Sequence, residues 1–140
     1  MLNVPQHEAL ACLKVLVALM KVDGKVDPTE RASLAGAIAG FEMGDMVTVE
    51  SLLDAEIDVD AELAHITSPD GRAQTYRSAS FMVNADGRKN PAELALLEKI
   101  AAATEVSGGD RASIDGLFAS QPKSKVAAIA AAVSNLFRRK

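Results

Sequence analysis

Apolar side chains recur at three- and four-residue steps along most of this chain, the spacing of one face of an α-helix. Between Pro5 and Val22 the stripe is Ala9, Cys12, Leu13, Leu16, Leu19 and Met20, and it predicts a first helix. Asp27-Pro28-Thr29-Glu30 opens a second, with Leu34, Ile38 and Phe41 facing inward and an end near Gly40 or Gly44. Two short helices are expected over Thr48–Glu56 and Val59–Ile66. Ser68-Pro69-Asp70-Gly71 reads as a turn, followed by a fifth helix from Arg72 to Ala85 with Tyr76, Ala79 and Val83 on one stripe. Asn90-Pro91-Ala92-Glu93 opens a sixth that carries Leu94, Leu97, Ile100 and Ala101. Gly108-Gly109-Asp110 starts a short seventh. The last is a basic helix over 122–138, with Val126, Ile129, Ala130, Val133, Leu136 and Phe137 on one side. No stretch alternates apolar and polar long enough to predict a strand. The expectation is an all-α bundle of seven or eight helices in one domain spanning residues 1–140.

Composition agrees with that picture. The chain is 49% hydrophobic and 24% charged, inside the globular range and far from disorder. Aromatics are only 4%, so alanine and the branched aliphatics must fill the core, which suits closely packed helices. No run reaches about 18 apolar residues without a charge, so no stable membrane insertion is expected. The opening residues carry no basic group before the apolar stretch, which argues against a secretory signal. Cys12 is the one cysteine, so no internal disulfide forms and a cytoplasmic location is expected. Cys12 falls on the apolar stripe, where a thiol behaves as a small hydrophobe.

The net charge of −4 decides little, but its distribution changes the picture. Between Arg31 and Arg72 there is no Lys or Arg, while Glu42, Asp45, Glu50, Asp54, Glu56, Asp58, Asp60, Glu62 and Asp70 fall there. After Asp115 the sign reverses, with Lys123, Lys125, Arg138, Arg139 and Lys140. The acidic middle argues against nucleic acid as a partner and toward divalent cations or a basic protein surface. The plainer reading is a solvated acidic face.

The most informative feature is a match of the chain to itself. Residues Asp23-Gly24-Lys25-Val26-Asp27-Pro28-Thr29-Glu30 and Asp86-Gly87-Arg88-Lys89-Asn90-Pro91-Ala92-Glu93 align without a gap at an offset of 63. Each copy follows an apolar helix and precedes another. Two helix-loop-helix hairpins are therefore expected, over about 13–41 and 76–104, related by a pseudo-twofold axis. Two readings of the shared motif stand side by side. As scaffold, Asp27 and Asn90 are N-caps, Pro28 and Pro91 take the first helical position, and Glu30 and Glu93 complete a capping box at the third. As a site, the same oxygens are hard-cation ligands, because the spacing matches the second half of an EF-hand loop. The first half of such a loop is missing. Leu19 and Lys21, then Met82 and Asn84, stand where its first acids would be, and Lys89 replaces the aliphatic residue. Only a weak site is expected.

These phrases, ALMKVDGKVDPTERASL and FMVNADGRKNPAELALLEKIAAA, resemble the TerB-like superfamily of bacterial tellurite-resistance proteins. The stretch from Leu53 to Val106 also resembles the related YebE-like proteins of unknown function. The resemblance covers about Ala9 to Val106. It implies an all-α fold of two helical bundles about a pseudo-twofold axis and an intracellular role in the tellurite or chemical-stress response. It also implies a divalent-cation site (calcium, magnesium or zinc) at Asp23, Asp27, Glu30, Asp86, Asn90 and Glu93. Asn90 stands where an acid is often found.

Catalytic chemistry finds no foothold. His7 and His65 are isolated, and no second histidine or cysteine lies at metal-ligand spacing. No nucleophile elbow, phosphate loop or dinucleotide fingerprint appears. The expectation is therefore a non-enzymatic protein. Its alternative role is that of a metal-free interaction module using the acidic middle or the final helix, and the sequence names neither partner nor oligomeric state. Gly36, Gly40 and Gly44 are spaced as a small-residue packing face, which predicts close helix contact there.

Overall fold

A computed structural model describes residues 4–22, 28–38, 49–84, 91–119 and 133, with the surroundings of most of their side chains. These residues form α1 (Gln6–Lys21), α2 (Pro28–Ile38), α3 (Val49–Asp54), α4 (Val59–Ala64), α5 (Pro69–Asn84), α6 (Pro91–Thr104) and α7 (Gly108–Ala119). The fold is all-α, and no strand occurs among the described residues. The repeat extends to the helix boundaries. Both α1 and α5 have 16 residues, and their starts, like those of α2 and α6, are separated by the same offset of 63. Apart from Val133, which is helical and fully buried, the expected last helix lies outside the described residues, as do Gly40, Gly44 and the side chains of Leu34 and Ile38.

α1 packs against α3, α4 and α5. Its predicted stripe is buried throughout, but so are Ala11, Val15 and Val17 on other faces. A helix apolar all round belongs inside, and that is where it sits. α5 packs on α1, α6 and α7, burying the predicted Tyr76, Ala79 and Val83.

Three sequence expectations are corrected. Ser68-Pro69-Asp70-Gly71 is not a free turn but the start of α5, three residues earlier than predicted. The Ser68 hydroxyl accepts the Gly71 N–H at 3.0 Å, and Pro69 takes the first helical position, where its missing N–H costs nothing. Leu94 does not face inward. It is 37% exposed, because the buried stripe of α6 runs Glu93, Leu97, Ile100, Ala101 and Thr104. At Gly36 an added Cβ would meet nothing within 4 Å among the described residues, so none of the described helices approaches closely there.

The end of α6 is also informative. Glu105 has a φ of 57°, its N–H bonds the Ala102 carbonyl, and the Val106 N–H bonds the Ala101 carbonyl. This is a Schellman termination with glutamate where glycine is usual, and Arg72 Nη1 holds that carboxylate at 3.1 Å.

Candidate functional site

The two Asp-Gly loops join α1 to α2 and α5 to α6. Asp23, Asp27, Asp86 and Asn90 lie outside the described residues, as does the side chain of Glu30. What the structure describes is the frame. α2 starts at Pro28 and α6 at Pro91, so Glu30 and Glu93 are each the third residue of their helix. Glu93 is only 2% exposed. Among the described residues no group of three His, Cys, Asp or Glu side chains comes together as a metal site. Leu19 and Met82, which stand where an EF-hand's early ligands would be, are fully buried apolar residues of α1 and α5.

The acidic middle is tied to the bundle by cations from other helices. Arg31 of α2 pairs with Asp54 at 2.8 Å, Lys14 of α1 with Glu62 at 3.4 Å, and Lys99 of α6 with Asp60 at 3.4 Å. Lys21 donates to the Ala55 carbonyl at 2.8 Å. The absence of Lys and Arg between Arg31 and Arg72 is thus answered from elsewhere in the chain. Glu56 and Asp58 have no ion pair among the described residues, although Asp58 caps α4 by accepting the Ala61 N–H at 3.2 Å. Beside them lies an open groove of about 570 Å³, between the end of α1 and the α3–α4 connection.

One polar cluster gave little warning in the sequence. Glu8, 3% exposed on α1, accepts the Ser68 N–H at 3.1 Å, the Ser68 hydroxyl at 2.7 Å and the Thr67 hydroxyl at 3.4 Å. In an ordinary capping box the third helical residue bonds the N-cap amide. Here that residue is Gly71, and Glu8 supplies the carboxylate from 60 positions away. Gly71 must be small, since an added Cβ would collide with Glu8 Oε1 and come within 2.9 Å of the Ser68 hydroxyl. Burial pushes the Glu8 carboxyl upward. The Ser68 hydrogen bonds, with smaller help from His7 and Thr67, outweigh it and hold the pKa below the usual value. Ser-Pro-x-Gly, read as an N-terminus lacking its own glutamate, was the only local clue.

Cys12 is fully buried and its thiol is pushed up to about 12 by burial, so it stays protonated at neutral pH. His7 and His65 are exposed, and His65 ends α4.

A family model described as tellurite resistance protein TerB matches residues 7–116. The match takes in α1 to α6, both Asp-Gly loops and the acidic middle, and stops within α7. Nothing matches among curated proteins or among solved structures.

Proposed function

The chain belongs to the TerB family, and on that premise we propose that it acts without catalysis in a tellurite-type chemical-stress response, holding a divalent cation weakly at its Asp-Gly loops. The observation that carries the cation reading is the first turn of α6, which buries Glu93 and turns Leu94 outward. A carboxylate kept from water is costly unless amide donors or a cation compensate it. Asp23, Asp27 and Glu30 in the first loop, with Asp86, Asn90 and Glu93 in the second, are an all-oxygen donor set. Such a set suits calcium or magnesium better than zinc. The cation would supply charge neutralisation, drawing the acids of a loop together. The buried, protonated Cys12 supports a role without nucleophilic chemistry, and the family resemblance supports a cytoplasmic setting.

Thermal melting separates cation binding from capping. A bound ion raises the melting temperature by mass action. The first loop has the complete acidic set, so Asp23→Asn should abolish the ion-dependent rise while changing little in chelator. Glu93→Ala should cost about 0.5–2 kcal/mol even in chelator, because the cap is lost as well. A melting temperature flat in millimolar calcium, magnesium and zinc would remove the cation reading.

The second reading, a metal-free interaction module, is favoured by the groove beside Glu56 and Asp58 and does not need the loops.

A further inference from the structure

We propose that the groove between α1 and the α3–α4 connection docks a basic, amphipathic segment of a partner protein. Its apolar lining is Ala18, Val22 and Ile57, and its acidic lining is Asp54, Glu56 and Asp58. Among the described lining residues the one cation, Lys21, has its ammonium turned onto the Ala55 carbonyl, and Arg31 neutralises Asp54. Glu56 and Asp58 are left as two exposed carboxylates above an apolar floor, neither in an ion pair among the described residues, with Asp58 accepting only the Ala61 N–H there. No basic residue of the surrounding sequence, from Arg31 to Arg72, offsets them. This surface complements a segment that presents aliphatic and cationic side chains together.

The groove's shape selects the occupant. A cavity of about 570 Å³ holds a few side chains, but this one is open to solvent and encloses nothing. Small metabolites bind where most of their surface is covered. A metal ion needs converging ligands, and no such trio forms among the described residues. One face of a helix, or a few extended residues, fits an open trough. A second copy of the chain is disfavoured by its own net charge of −4.

The proposal deepens the interaction reading and is independent of the cation reading, since the acids it uses, Asp54, Glu56 and Asp58, are not among the six loop residues. Its test uses the full chain in chelator with a fluorescein-labelled Lys/Leu amphipathic peptide, followed by anisotropy. The peptide should bind with an affinity that falls as salt rises, and a Glu/Leu peptide of the same pattern should not bind. Glu56→Lys should weaken binding at least about tenfold with an unchanged melting temperature, because Glu56 is exposed and makes no hydrogen bond or ion pair among the described residues. Ala18→Phe, which fills the floor, should weaken it without altering charge. Equal binding of both peptides, insensitivity to Glu56→Lys, or full displacement by spermine, which has charge but no apolar face, would each overturn the proposal. So would a dimer in sedimentation that Glu56→Lys dissociates, because the groove would then belong to a second copy. An ion-dependent melting shift with no peptide binding would leave the cation reading standing and sink this one alone.

Discussion

α1 and α5 occupy matching places in the repeat and are buried to a similar depth by different chemistry. The inside of α1 is Leu13, Val15, Leu16, Leu19 and Met20, with Ala and Cys between. α5 buries Tyr76, Met82 and Val83 but also Gln74, Thr75, Ser78 and Ser80. Gln74, Thr75 and Ser78 of α5 bond within their own helix. The Thr75 hydroxyl donates to the Gly71 carbonyl at 2.7 Å, and the Gln74 amide donates to the Ser78 hydroxyl at 2.8 Å. A side chain that bonds its own helix needs no partner across the interface. Small Ser and Ala residues also leave room for α1, α6 and α7 to approach. Place in the bundle, rather than hydropathy, therefore sets burial in α5. In α1 the two coincide except at Glu8.

Substitutions can break or sharpen this contrast. The largest effect is expected at Leu16→Ala in α1, where lost burial and the remaining cavity should cost about 2–5 kcal/mol in urea unfolding. A cost below about 1 kcal/mol would mean that α1 is not the organising helix.

Next comes the contact between the two helices. Gly71→Ala should destabilise by about 1–3 kcal/mol, because its methyl meets the Glu8 carboxylate. In a Glu8→Ala background the same change should cost clearly less, and a double-mutant cycle reads the difference. Additive changes would show that Gly71 is constrained by something other than Glu8.

The same carboxylate has a pH signature. Its pKa is depressed in the folded state, so its stabilisation is complete above the ordinary carboxylate range and is lost as pH falls through the folded value. The stability gap between wild type and Glu8→Gln should stay level near neutrality and close on acidification. A gap that instead grew on acidification would refute the hydrogen-bonded anion.

The smallest effect belongs to α5's interior. Thr75→Val keeps the shape and deletes a hydroxyl bonded to its own helix, so about 1 kcal/mol is expected. A loss as large as that of Leu16→Ala would show that the hydroxyl bridges elements, for instance through its contact with Cys12.

Much of the fold was legible in the residues, and less of the site. Pro28 and Pro91 mark helix starts because a proline's fixed φ and missing N–H act locally. The stripe in α1 was legible because its apolar residues repeat at helical spacing. Leu94 was grouped with the apolar residues of α6, whereas the structure turns it outward and buries its neighbour Glu93. Adjacent residues differ by about 100° on a helix, and two neighbouring stripes fit the same apolar pattern. Glu8 was missed for a different reason: its partner is 60 residues distant, and a glutamate in a first turn resembles an ordinary favourable charge.

By itself, then, the sequence determined the helices, their order, the duplicated loop and the family, because propensity, capping and periodicity act within a few residues. Only the tertiary structure decided that α1 is enclosed on several faces, that α5's polar residues are interior and that α6 buries a carboxylate. It also decided that cations from α1, α2 and α6 answer the acidic middle, leaving Glu56 and Asp58 beside the groove. Burial and electrostatic compensation depend on which distant segments meet, and no local pattern encodes that.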